Sequence, residues 1–158
     1  MSKKIYLVLL FISSFSSAYE CKYLDIFQDA AQKYNLDYRL LCSIGNVESN
    51  YNPYALNIRK NDYDIGVMQI NSWWFKKLKK VGMDDPRMLF DYTYNINVGA
   101  WILKDCIKSF GISKKAIDCY NKGSSKANKN SDYVGKIITQ YNYFTRKYKR
   151  KKEADRSK

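Results

Sequence analysis

The chain contains no histidine, which removes most of the common catalytic machinery. Ser-His-Asp and Cys-His hydrolases are excluded, as are zinc amidases and peptidases that need imidazole ligands. Acid–base work is left to carboxylates, tyrosine, lysine or a Ser/Lys pair. Among the carboxylates, Glu48 has an unusual address. At about 100° per residue it falls within about 20° of Leu41 and close to Ile44, on the apolar side of its helix. It also sits near the helix C-terminus, where the macrodipole disfavours a negative charge. Burial and dipole both push a carboxyl pKa upward, as a general acid near neutral pH requires. The competing reading is a glutamate that escapes to solvent at the helix end, and periodicity alone leaves the two even. Asp62 and Asp64 precede Gly66 in a polar stretch. They are either a second carboxylate that positions a water or a turn closed by Asx hydrogen bonds.

These side chains need a scaffold, and the apolar periodicity predicts a mainly α one. A helix is expected over 23–34, with Leu24, Phe27, Ala31 and Tyr34 on one face. The next starts with Asp37 as N-cap, carries Leu40, Leu41, Ile44 and Val47, and ends before Asn52-Pro53. Residues 53–70 read as irregular, with short extended pieces around 65–70. Further helices are expected over 72–81, 95–110 and 112–120. A last one starts near Ser131, with Tyr133, Ile137, Tyr141, Phe144 and Tyr148 on one side. From Arg146 the chain is a charge run, expected to be a basic, flexible tail over 146–158.

The N-terminus has the pattern of an export signal: Lys3 and Lys4, an apolar run over 5–12, then small residues ending in Ser16-Ser17-Ala18. Residues 1–18 are therefore expected to be a cleaved signal peptide, which leaves one domain over 19–145 and a periplasmic or secreted product. The apolar run falls short of the roughly 20 residues that span a bilayer. The four cysteines, Cys21, Cys42, Cys106 and Cys119, all follow that segment. An even number in an exported chain implies two disulfides, with three connectivities open. No C-x-x-C pair supports a metal site, and no cofactor is called for. The formal charge of +13 suits a polyanionic partner. Export and paired cysteines argue against nucleic acid.

Four blocks then occur in order: Glu48-Ser49-Asn50-Tyr51-Asn52-Pro53, Asp64-Ile65-Gly66-Val67-Met68-Gln69-Ile70-Asn71, Asn95-Ile96-Asn97-Val98-Gly99-Ala100-Trp101, and Tyr120-Asn121-Lys122-Gly123. Together they closely resemble the soluble lytic transglycosylase family, in particular its small members that serve secretion, pilus and conjugation machines. The resemblance runs from about Cys21 to Tyr141. It implies a lysozyme-like, two-lobed fold with a central groove and a short irregular or β insert. It implies a monomer acting on peptidoglycan glycan strands, with Glu48 as the single catalytic acid/base. Ser49, Gly66, Met68, Gln69, Tyr120 and Asn121 fall on the family's substrate-binding positions. Gln69 and Tyr120 are expected near Glu48, and Gly66 where backbone approaches the groove, while core packing is the preferred reading for Met68 and Ile70. Trp73 and Trp74 are open between sugar stacking and core. Where small members carry D-P-C-x-N, this chain has Asp91-Tyr92-Thr93-Tyr94-Asn95. The usual partner of Cys21 is then missing, and the other cysteines must be arranged differently. The rival readings are a muramidase that pairs Glu48 with Asp62 or Asp64, and a non-catalytic wall-binding module.

Overall fold

A computed structural model describes residues 20–83 and 85–157. The expected signal peptide lies outside the described residues. Among those described, the chain forms six α-helices and one small antiparallel sheet. Helices α1 (Leu24–Tyr34) and α2 (Tyr38–Ser49) come first. Asp37 caps α2 by accepting the Arg39 N–H at 2.9 Å, and Asn50 ends it in the left-handed region at φ 51°. The Cys21–Cys42 disulfide ties the start of α1 to α2, with Cα atoms 5.6 Å apart.

The segment expected to be irregular is more ordered than its composition suggests. Strands β1 (Leu56–Ile58), β2 (Tyr63–Ile65) and β3 (Ile70–Asn71) pair in the order β1-β2-β3, with Leu56 opposite Ile65 and Ile65 opposite Ile70. The sheet accords with the short β insert and the extended pieces expected around 65–70. Two- and three-residue strands are too short to show a period of two, so their bounds and pairing are not legible in the sequence. A turn over 66–69 joins β2 to β3, with Gly66 at φ 76° and Gln69 at φ 45°.

The predicted helix over 72–81 is three short pieces, of which α3 (Phe75–Leu78) is the α-helical one. Helix α4 (Tyr92–Phe110) begins before the expected Asn95, because the Asp91 side chain accepts the Tyr94 N–H at 2.7 Å and caps it there. Helix α5 (Lys114–Lys122) is held to α4 by Cys106–Cys119. The two disulfides resolve the pairing that the sequence left open. Helix α6 (Asp132–Arg156) runs through the stretch expected to be a flexible tail. At the start of that stretch the Tyr148 ring meets Tyr38 edge-on at 5.7 Å, and Lys147 pairs with Glu20 at 3.2 Å.

Phe27, Leu41, Ile44, Met68, Ile96, Leu103, Ile137 and Phe144 form a core that surrounds α2 on the helical side. Met68 is the wedge at its centre. It packs against Gly99 of α4 so closely that a Cβ there would lie 2.8 Å from the methionine methyl, and it borders Gly45 of α2 as well. The result is the mainly α, lysozyme-like fold that the resemblance implies, with the sheet facing the helices across a cleft.

Candidate active site

Glu48 occupies the last turn of α2, where the helix meets the cleft. The cleft has a volume of about 210 Å³ and is lined by Glu48, Arg59, Asp64, Gln69, Ile70, Asn71, Trp74, Ile102, Tyr120 and Asn121. Helix α2 supplies the acid, the sheet one wall, and the end of α5 the other. Burial of the Glu48 carboxyl pushes its pKa up to about 7, with a contribution from the negative Asp64 nearby. One contact works the other way. The Tyr133 hydroxyl donates to Glu48 Oε1 at 2.6 Å and favours the ionised form. A carboxyl balanced near neutrality can both give and take a proton.

The other nearby carboxylates are engaged. Asp64 accepts two bonds from the Arg59 guanidinium, at 2.6 and 3.0 Å, and one each from Asn71 Nδ2 at 2.7 Å and Asn57 Nδ2 at 3.3 Å. Asp62 is outside the cleft lining and accepts from Arg59 Nε at 2.5 Å. The Asx-turn alternative is therefore replaced by an arginine clamp.

Gln69, Tyr120 and Asn121 lie on the cleft wall with Glu48. The Gln69 amide donates to Gly66 O at 3.0 Å and to Ala55 O at 3.3 Å, so its side chain is oriented by backbone. Tyr120 is buried, and its hydroxyl donates to Met68 O at 2.7 Å. Burial and the nearby Glu48 charge hold that hydroxyl well above its usual pKa, so it stays a neutral donor.

Ser49, Gly66 and Met68 lie behind the cleft and are not among the residues that line it. The Ser49 hydroxyl donates to Val67 O at 2.7 Å and fastens the end of α2 to the turn. Met68 is fully buried core, as its packing predicted. Gly66 is needed behind the groove, not at it: a Cβ would lie 2.3 Å from Asn95 Nδ2 and 2.5 Å from Leu89 O. Trp74 is buried and lines the cleft, whereas Trp73 stacks on it at 4.2 Å and is 45% exposed.

Two residues went unrecognised in the sequence. Tyr133 looked like one more aromatic on an apolar stripe, and nothing in its spacing marked the hydroxyl as a ligand of Glu48. Asn95 is fully buried. Its Oδ1 accepts from Met68 N–H at 2.7 Å, and its Nδ2 donates to Ile65 O and Leu89 O at 2.9 and 2.8 Å. It was visible as the first residue of a block, but its task was not.

Fold and cleft together define a lysozyme-like domain with a half-buried glutamate, Glu48, in its cleft. The chain belongs to the Transglycosylase SLT domain family, which it matches over residues 25–156. It is 34% identical over 141 residues to the invasion protein IagB of Salmonella typhi, covering 86% of this chain and 84% of that protein. It is 28% identical to protein IpgF of Shigella sonnei over 89% of this chain and 91% of that one. With the X polypeptide of Escherichia coli strain K12 it shares 33% identity, over 75% of this chain and 68% of its relative.

Proposed function

We propose that the protein is a peptidoglycan lytic transglycosylase that cleaves the bond between N-acetylmuramic acid and N-acetylglucosamine. Glu48 gives its proton to the glycosidic oxygen as the bond from that oxygen to muramic C1 breaks. The N-acetylglucosamine leaves with a free hydroxyl. The Glu48 carboxylate then takes the proton of the muramic C6 hydroxyl, whose oxygen bonds to C1. A 1,6-anhydro sugar forms, the acid is regenerated, and no water is consumed. An internal nucleophile has a high effective concentration, which lets one carboxyl do the work of two. Tyr120 and Gln69 orient the sugar from the walls.

The observation that carries this reading is the pairing of a neutral-range Glu48 with an Asp64 already held by Arg59, Asn57 and Asn71. Asp64 nonetheless lines the same cleft, which supports a second reading, a muramidase in which Asp64 assists attack by water. Mass spectrometry of digested sacculi separates the two, because anhydro ends are lighter than reducing ends by one water. Anhydro ends are expected, and a digest containing only reducing ends would establish the muramidase. Glu48→Gln is expected to cut sacculus clearing by about 10³-fold or more. Equal clearing by both proteins would remove Glu48 from the role of acid, and no clearing by wild type would leave a wall-binding module as the function.

The substrate lies outside the cytoplasm, so the reading carries a periplasmic or secreted location with it. Among the described residues, no helix is long and apolar enough to cross a membrane. The similarity to an invasion protein supports local opening of the wall for an envelope-spanning secretion, pilus or conjugation apparatus.

A further inference from the structure

The chemistry above leaves one fully buried carboxylate without a task. Asp118 lies in α5, two residues before Tyr120, and is 0% exposed. Burying a carboxylate costs several kcal/mol unless charge and hydrogen bonds compensate. Asp118 has three such partners. The Asn128 N–H donates to Oδ2 at 2.6 Å, the Ser131 hydroxyl donates to Oδ1, and the Lys122 ammonium lies 3.3 Å from Oδ1. Ser131 is the N-cap of α6 and accepts the Val134 N–H at 3.3 Å. Tyr133 follows in the first turn, with its hydroxyl on Glu48.

The connection from α5 to α6 is mostly polar and exposed: Ser124, Ser125, Lys126, Asn128, Lys129 and Asn130 all face solvent, while Gly123 is buried against Trp73 and Ala127 packs on the core. Beyond Ala127 the path of such a loop is set by the polar groups it can bind. Asp118 takes both the Asn128 N–H and the helix cap there.

We propose that Asp118 is a positioning residue for the acid: by binding the Asn128 N–H and the Ser131 hydroxyl, it sets the first turn of α6 where Tyr133 reaches Glu48. The inference rests on Glu48 being the acid of the proposed reaction. A carboxylate that only stapled the loop would contribute to stability without touching the proton equilibrium of Glu48. The two roles therefore differ in what they move.

The test is a ¹³C NMR titration of the Glu48 carboxyl in the full chain, beside the pH profile of anhydro-sugar release. The groups facing Glu48 are Tyr133 from α6, Tyr120 from α5 and Asp64 from β2. Tyr133→Phe is expected to raise the Glu48 midpoint by about one pH unit, since it removes a bond to the charged form. Asp118→Ala and Ser131→Ala are expected to raise it by at least half as much. Neither should add anything in the Tyr133→Phe background, and Asp118→Asn should restore part of the shift through its remaining carbonyl oxygen. The sign is informative, because removing a negative charge by itself would lower the midpoint. Variants that melt earlier but titrate like wild type, or with a lowered midpoint, would overturn the proposal. If Asp118→Ala does not fold, the charge-neutral Ser131→Ala carries the test. The titration reads Glu48 directly, so a wild type releasing no anhydro product would remove the transglycosylase reading and leave this comparison intact.

Discussion

A glutamate kept protonated near neutral pH is costly to the molecule that holds it, and Glu48 makes that cost measurable. Its folded pKa of about 7 lies above the ordinary 4.5. The native state therefore binds more protons than the unfolded state between those values. Stability from this group is complete below about pH 4.5 and is lost as pH rises to 7. Glu48→Gln keeps an acceptor for the Tyr133 hydroxyl and removes the ionisation. The variant is expected to melt with wild type at pH 4.5 and to be more stable at pH 8. A shift of this size in a half-buried group is worth on the order of 2 kcal/mol. Thermal melts across that range decide it, and a gain independent of pH would contradict the assignment. The activity of wild type should fall as pH rises through 7, because the acid form is then depleted. Of these residue-scale facts, the apolar address of Glu48 was legible in the helical period. Its hydroxyl partner was not, since the contact joins positions 85 residues apart.

At the scale of elements, the site depends on a turn that places three backbone groups at once. The 66–69 turn gives its Met68 N–H to Asn95, its Met68 carbonyl to Tyr120 and its Val67 carbonyl to Ser49. Ser49, Asn95 and Tyr120 are the fasteners of this turn, while Gln69 at its end faces the cleft. Gly66→Ala tests the arrangement. The φ of 76° already disfavours a side chain, and the new methyl would meet Asn95 and the Leu89 carbonyl, of which the second is backbone. A loss on the order of 3 kcal/mol is expected in denaturant unfolding. Periodicity located α1, α2 and α6 because their apolar stripes are long. It could not set the bounds or pairing of strands of two or three residues, nor foresee that Asp91 would cap α4 at Tyr92. The end of α6 is helical where composition suggests only a charge run: its lysines and arginines read as repulsive and solvated, while Lys147 and Tyr148 at the start of the run make tertiary contacts.

For the whole molecule, the two disulfides act at different places. Cys21–Cys42 fastens the chain start onto α2, whereas Cys106–Cys119 closes a separation of 13 residues directly beside Tyr120. Loop-closure entropy makes each worth about 3 kcal/mol. Replacing either pair with serines should therefore lower the melting temperature to a similar extent. Sacculus clearing at a temperature where both variants are folded should suffer more from loss of the 106–119 bridge. Equal clearing would show that the bridge does not hold the Tyr120 strip. The positive charge of the chain, read from composition as a preference for polyanions, is carried in part by the far end of α6.

That the hydroxyl on Glu48 comes from the last helix has a consequence for the order of events in synthesis. A ribosome completes Glu48, Gln69 and Tyr120 before Tyr133 exists, and α6 docks only after its own turns have been made. A nascent or truncated chain thus holds its acid without the group that tunes it. Docking of the final element thus brings the Tyr133 hydroxyl onto the Glu48 carboxyl, after the rest of the cleft has been made.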